Sequence, residues 1–573
     1  MRPRPPDRVL RLRWIEELGG NVIRTSSVMV LLLVVVSVLI AAPVRAAAPG
    51  AQQAPRAFLV ALAASPGVVG EPPVTTVTGA DQLWHNHAVE LTFTATVASG
   101  SVTAIEVRVD GGEVLETPGA TCQRTIQAPA DHGGDGSHLV EFRAIDGDGD
   151  MEQWKSVTVK IDTRRPAATL LHAVGVMRTC TANIDFRVDD APPCAGAADV
   201  TIVINSWDGH VVKTLRLRGA SAGADLVARF TCGLPLGFYR VRMQARDLAG
   251  NVATSVGETR LVVTRWMRLH SFGAQMVGPD QLPYVSWWPI SRDDSAPHDA
   301  EGVRMYVSGG RLRNYPGGQA RYGLANLNTY RLTGEVFYLG RARAQAQRLI
   351  ETHVSYRGAW FYPQRYARFR HAAVGDLMRN PWYSGMSQGQ VISLMVRMYE
   401  VTGETEYLSA AKATLSGFLY PGPASNRPWV VNLDGAQRLW IQEWPKLPLD
   451  YTFNGHMIAS VGLYDYYRVT KDTLALVLFR AAASAALDYA PRFRRPGHAS
   501  VYCLLHRTPN LKYHRVHYIC LRNLADYTGE AAFAHMADLF AQDYAGPKDS
   551  LQSARFTDLL ELLSEAEAQQ DAP

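Results

Sequence analysis

Apolar and polar residues alternate along Leu91-Thr92-Phe93-Thr94 and Ile105-Glu106-Val107-Arg108-Val109, the period of a strand that buries one face. A further strand is predicted over 140–145 and stops at Asp146-Gly147-Asp148-Gly149-Asp150. After Asp162-Thr163-Arg164-Arg165-Pro166 the pattern returns, with strands predicted over 184–188, 200–204 and 239–245. Asp247-Leu248-Ala249-Gly250-Asn251 then stands where the first Asp-rich turn stood. The offset between these turns, about a hundred residues, is the size of one immunoglobulin-like sandwich. Two tandem immunoglobulin-like β-sandwiches are therefore expected, over 74–163 and 166–264, as spacer, scaffold or sugar-binding surface.

Past Val263 the apolar period lengthens to between three and four, and helices are predicted over 323–332, 336–353, 388–401, 406–418, 457–469, 473–489, 518–527 and 530–544. Four turns punctuate them: Thr333-Gly334-Glu335, Thr402-Gly403-Glu404, Thr470-Lys471-Asp472 and Thr528-Gly529-Glu530. Three end a helix on glycine, and all four start the next on an acid, where the helix's positive end favours it. Such a repeat predicts an incomplete α/α toroid of about four helical hairpins over 321–550. A connecting segment over 265–320 precedes it, and a tail over 551–573 follows. A fragment beginning near Trp266 is expected to fold as a helical unit.

Ahead of the strands, arginines recur through 1–24, 28–42 is apolar apart from Ser37, and Val44-Arg45-Ala46-Ala47 offers small residues for cleavage. An export signal or uncleaved signal anchor is expected over 1–48, then an Ala/Pro/Gly-rich linker over 49–73. No later stretch reads as long and apolar enough to span a bilayer. The six cysteines are even in number, and Cys180, Cys194 and Cys232 share one β unit, so at least one disulfide is expected among these three. The charge balance, 58 Lys+Arg against 53 Asp+Glu, is too even to argue for a polyanionic partner. No nucleic-acid module or phosphate loop stands out. The Asp-rich turn leaves a structural calcium ion open as the sole cofactor, although aspartates bonding their own backbone explain it more simply.

The most distinctive segment is Pro381-Trp382-Tyr383-Ser384-Gly385-Met386-Ser387-Gln388-Gly389-Gln390, which runs into an apolar helix. Pro381 fixes the backbone, Gly385 and Gly389 permit close approach, and Ser384 or Ser387 can cap, placing Trp382, Tyr383 and Gln388 at a helix mouth. Together with Tyr315-Pro316, Tyr322-Gly323-Leu324, Gly358-Ala359-Trp360, Asn454-Gly455-His456-Met457, Gly462-Leu463-Tyr464-Asp465 and Pro509-Asn510-Leu511, this block resembles the C-terminal domain of the D-glucuronyl C5-epimerases over 301–544. Val501-Tyr502-Cys503-Leu504-Leu505-His506 is similar to the family's Ile-Tyr-Asp-Leu-Arg-His, with Leu505 in place of the arginine. Tyr513-His514-Arg515-Val516-His517 is similar to its Tyr-His-x-x-His, and Gln442-Glu443-Trp444-Pro445 to its Glu-Glu-Tyr-Pro, with Trp444 in place of the tyrosine.

The resemblance implies conversion of D-glucuronosyl to L-iduronosyl residues in a heparosan-like acidic polysaccharide. That reaction needs a proton removed from C5 and one returned on the opposite face. Tyr502 and Tyr513 are the expected acid/base pair, with Glu443 as a further catalytic group. Lys512, Arg515 and His506 are expected to lower the phenols' pKa or grip carboxylate. Trp360, Trp382, Tyr383, Gln388, Trp444, Asn454, His514 and His517 complete the expected substrate contacts, and no metal is assigned to them. Membrane anchoring and homodimerisation stay open. A uronate lyase starting from the same proton abstraction, and a polysaccharide-binding protein without chemistry, are the alternatives that Trp444 and Leu505 keep in view.

Overall fold

The computed structural model describes residues 71–282, 284–372 and 376–544. The export signal, all but the end of the linker and the C-terminal tail lie outside the described residues. Within them the chain has a β-rich N-terminal region and a helical C-terminal region.

The β-rich region repeats one topology. In its first half, a three-stranded sheet orders Val74–Thr78, Val89–Thr96 and Thr121–Ile126. A five-stranded sheet orders Trp84–His85, Lys155–Ile161, Gly136–Asp146, Val102–Val109 and Leu115–Pro118. The second half has Ala167–Leu170, Thr181–Asp189 and Asp225–Thr231 in one sheet. Its other sheet orders Val174–Met177, Gly257–Thr264, Gly237–Asp247, Ala197–Ser206 and Val211–Ser221. In both five-stranded sheets the first edge strand pairs parallel, Trp84–His85 with Lys155–Ile161 and Val174–Met177 with Gly257–Thr264. The alternation read from sequence is the cause: Leu91, Phe93, Ile105, Val107, Val140 and Phe142 fill one core, and Ile184, Phe186, Val200, Ile202, Val241 and Met243 the other. Each such side chain contributes about 1.5–3 kcal/mol on burial. Asp146 Oδ1 accepts from the backbone N–H groups of Asp148 and Asp150 at 3.0 and 2.9 Å, which holds the Asp-rich turn from within.

Eight α-helices follow among the described residues: α1 (Pro316–Thr333), α2 (Val336–Thr352), α3 (Gly385–Thr402), α4 (Thr405–Ser416), α5 (Phe453–Thr470), α6 (Thr473–Phe493), α7 (Leu511–Thr528) and α8 (Ala531–Asp543). Sequential pairs pack together, and α1, α3, α5 and α7 are successive neighbours. The caps at Gly334, Gly403 and Gly529 are left-handed, and Lys471 adopts the same conformation at φ 55°. Helices α3 and α5 cross so tightly that a Cβ on Gly462 would lie 2.1 Å from Gly389 O.

Several expectations need correction. Helix α1 starts at Pro316, inside the expected connecting segment, because proline suits a first helical position. Helix α7 starts at Leu511 rather than at 518, since Asn510 caps it by accepting from Tyr513 N at 3.1 Å. All six cysteines are free thiols. Cys180 and Cys232 are paired only through backbone, Cys232 N donating to Cys180 O at 2.9 Å, and Cys194 lies instead against Asp190 O. Helix α6 is long and apolar enough to span a membrane, but Leu474, Leu478, Phe479 and Ala482 are buried in the helical core. The boundary at Trp266 is not a clean cut either. Gly175 N donates to Thr473 Oγ1 at 2.6 Å, a Cβ on Gly175 would meet Leu474 Cα at 2.2 Å, and Met177 and Val262 belong to the helical core.

Candidate active site

The site forms where three segments converge. Glu443 leaves the short strand Leu439–Ile441 and is admitted by Gly455 in the first turn of α5: a Cβ there would lie 2.4 Å from Glu443 Oε2. Tyr502 sits in an extended segment pinned on both sides, its N–H donating to Thr508 O at 3.0 Å and its carbonyl accepting from Phe453 N at 3.3 Å. Tyr513 occupies the capped first turn of α7. The Tyr502 hydroxyl donates to both Glu443 oxygens at 3.2 Å, and the Tyr502 and Tyr513 rings touch, centroids 4.3 Å apart and tilted by 53°. All three side chains are buried.

Burial sets the electrostatics. It pushes the Glu443 carboxyl up to about 8, helped by the neighbouring Asp450 charge and opposed by the Tyr502 hydroxyl, Arg368 and Arg321. Burial lifts Tyr502 well above the ordinary phenol value, with Glu443, Tyr513 and Asp450 adding to the rise. Tyr513 is pushed up to about 12, again by burial and then Glu443, while its hydrogen bond with Tyr502 and the Arg368 and Arg321 charges oppose the shift. Desolvation thus keeps both phenols protonated at neutral pH and brings the Glu443 carboxyl alone close to neutrality, a balance that the charge of a bound ligand can shift.

The structure brings Glu443, Tyr502 and Tyr513 together, and Trp444 stands beside them. Trp444 is buried and stacks on Trp382, ring centroids 5.0 Å apart, in a small core with Tyr366 and Met378. Trp382 spends its indole N–H on Tyr366 O at 2.9 Å, so both tryptophans pack rather than offer a free face to a sugar. Gln388 is corrected from a sugar contact to a fastener: its Nε2 donates to Trp360 O at 2.6 Å and Thr414 O at 2.9 Å. Trp360 stacks on His353 at 3.6 Å, and Tyr383 lies edge-on to Phe361. His514 and His517 are core histidines. His514 Nδ1 accepts from Ser500 N at 3.0 Å, His517 Nδ1 pairs with Ser500 Oγ at 2.8 Å, and both rings pack near Phe540. Burial depresses the pKa of each. Asn454 is buried with Oδ1 unbonded. Lys512 and Arg515 are half-buried on α7.

Four residues escaped the sequence reading. Arg321 on α1 and Arg368 are cations that act on Glu443 and Tyr513. A buried cation in an otherwise tightly packed helix was the available signal for Arg321. Asp450 and His371 form a second layer: His371 Nε2 contacts Asp450 Oδ2 at 2.8 Å, and the His371 ring lies 4.5 Å from the Tyr502 ring. The donor atoms of His371, Cys503 and His506 all fall within 4.8 Å of one another, so this face could hold a metal ion. Elsewhere, a cavity of about 550 Å³ lined by Phe238, Val262, Tyr356, Tyr420 and Leu478 contains none of these acid/base groups.

Residues 355–542 match the family described as the D-glucuronyl C5-epimerase C-terminus, and this supports an epimerase-type function. A D-glucuronyl C5-epimerase of Caenorhabditis elegans is 26% identical over 208 residues, 32% of this chain and 31% of that protein. An uncharacterised protein of Methanocaldococcus jannaschii is 22% identical over 152 residues, 26% of this chain and 49% of that protein. The chain thus spans less than half the length of either relative. Among solved structures, a family 76 glycoside hydrolase from a bovine Bacteroides thetaiotaomicron strain aligns at 11% identity with a TM-score of 0.31, covering 71% of this chain and 100% of that one, too slight a likeness to argue from.

Proposed function

We propose, from the premise that residues 355–542 match the D-glucuronyl C5-epimerase C-terminus, that this chain inverts C5 of D-glucuronosyl residues in a heparosan-like polysaccharide, giving L-iduronosyl residues. The observation that carries the reading is the Tyr502 hydroxyl held between both oxygens of a buried Glu443, with Tyr513 against it. With Glu443 in its ionised form, one phenol passes its proton to that carboxylate and its oxygen takes the C5 proton. The C5–H electron pair moves into the uronate carboxylate as an enolate, and a new C5–H bond forms on the other face with a proton from the second tyrosine. Arg321 and Arg368 bind the uronate carboxylate. Because the two rings touch, no pyranose fits between their faces. Binding must therefore part the two phenols so that their hydroxyls face C5 from opposite sides.

In this reading the β-rich halves are immunoglobulin-like sandwiches, the helices are four hairpins of an α/α toroid around the groove, and the apolar segment 28–42 directs export or anchors the enzyme to a membrane. Heparosan incubated with the protein in deuterated water tests the chemistry. Deuterium at C5 with new iduronosyl units is expected. Unsaturated chain ends would mean a lyase, and neither product would leave a binding protein.

A further inference from the structure

Beside the acid/base cluster lies a second constellation that proton transfer at C5 does not use. Cys503, His506 and His371 come from the Tyr502 segment and from the stretch just before the 373–375 segment, and their donor atoms are mutually within 4.8 Å. Cys503 Sγ is 3.3 Å from His506 Nδ1. Each imidazole has its other nitrogen engaged by a carboxylate: His371 Nε2 meets Asp450 Oδ2 at 2.8 Å, and His506 Nε2 meets Asp376 Oδ2 at 3.2 Å. That arrangement, carboxylate to imidazole to an open Nδ1, is how metal-ligating histidines are held in register. The His371 side chain is only 10% exposed, yet its Nδ1 has no hydrogen-bond partner.

A thiol–imidazole hydrogen bond accounts for Cys503 and His506 but leaves the buried His371 Nδ1 without a partner, which is unfavourable. A nucleophilic Cys–His pair is a poor account too, because it also leaves His371 Nδ1 without a partner. A metal ion satisfies all three atoms. In a tetrahedral zinc site, bonds of about 2.3 Å to sulfur and about 2.0–2.1 Å to nitrogen put those donors about 3.5 Å apart, close to the 3.3 Å between Cys503 Sγ and His506 Nδ1. The soft sulfur and two imidazoles select a zinc-like ion over calcium or magnesium.

We propose that Cys503 Sγ, His371 Nδ1 and His506 Nδ1 bind one zinc ion, with water completing the shell and Asp450 and Asp376 orienting the two imidazoles. On coordination the Cys503 thiol gives its proton to solvent, and the metal ties the His371 stretch to the Tyr502 segment. The inference rests on these three side chains and not on the epimerase reading.

The test uses the full chain, stripped with a chelator and titrated with cobalt(II), whose bond to a thiolate gives a near-ultraviolet charge-transfer band. About one equivalent of cobalt with that band is expected, displaced by zinc. Cys503→Ser should abolish the band while Cys520→Ser, a buried cysteine of α7 outside the trio, keeps it. His506→Gln should weaken cobalt binding by at least about a hundred-fold, and Asp450→Asn by about ten-fold. A band that survives Cys503→Ser, or wild-type protein that retains no stoichiometric cobalt or zinc through gel filtration, overturns the proposal. Should Cys503→Ser misfold by circular dichroism, His506→Gln decides alone. The outcome is separable from label uptake at C5, which needs no metal readout.

Discussion

Asp247 and Glu152 in the β-rich region and Glu443 in the helical region are all buried acids, and they are satisfied in different ways. Asp247 and Glu152 accept from backbone. Asp247 Oδ1 accepts from Gly250 N and Asn251 N at 2.7 and 2.8 Å, and both Glu152 oxygens accept from Thr75 N at 3.0 and 3.1 Å. In the helical region Glu443 answers to a phenol and faces Asp450, with no backbone donor among its described partners. Backbone donors are fixed and lock a turn; a hydroxyl can give up its proton. The type of partner, more than burial itself, separates a structural carboxylate from a reactive one.

The strongest way to break that contrast is to remove the reactive carboxylate. Glu443→Gln and Tyr502→Phe should each slow C5 label uptake by about a hundred-fold or more, with far-ultraviolet circular dichroism and the thermal midpoint little changed. Retained turnover in both would dissolve the distinction. The next largest effect should come from Glu152→Gln, which strips an acceptor from Thr75 N and an ion pair from Lys155. We expect about 2 kcal/mol of lost stability in denaturant melts and unchanged label uptake, the inverse signature. Smaller still is Arg368→Gln, which should raise KM for the polymer about ten-fold, or about 1.4 kcal/mol, through weaker carboxylate binding. A change confined to turnover would move Arg368 from binding to the reaction itself.

The same contrast explains what could be read from the chain. Strand alternation and the four turn motifs depend on neighbours in sequence, so Phe93, Ile202, Gly403 and Gly529 were legible from spacing alone. The grouping of Glu443, Tyr502 and Tyr513 was legible only through family resemblance, since nothing local marks a buried tyrosine as reactive. His514 and His517 were expected as substrate contacts only through the family's Tyr-His-x-x-His pattern, while the fold turns both toward Phe540 and Ser500. The His371, Cys503 and His506 trio stayed hidden for the opposite reason. More than a hundred residues separate its first member from the others, and no spacing rule reaches that far.

One acid in the β-rich region breaks the pattern and yields the smallest effect. Asp190 Oδ1 is buried without a hydrogen bond, and burial, followed by the charges of Asp162 and Asp247, pushes its carboxyl up to about 6. The unfolded chain holds an aspartate near 3.9. Between about pH 4 and pH 6 the folded protein therefore binds more protons than the unfolded one, so stability falls as pH rises through that window and reaches its lower level above it. Asp190→Asn removes the charge and keeps the shape. At pH 7.5 it should be the more stable protein by about 1 kcal/mol, already discounted for the carboxylate's partial exposure, which is a rise of about 2–4 °C in the midpoint of the β-rich region. At pH 4 the advantage should vanish, because the wild-type carboxyl is then protonated in the folded state. A variant less stable at both pH values would show that Asp190 is held by attraction the described contacts do not contain, and the β-rich region would then have a charged site of its own.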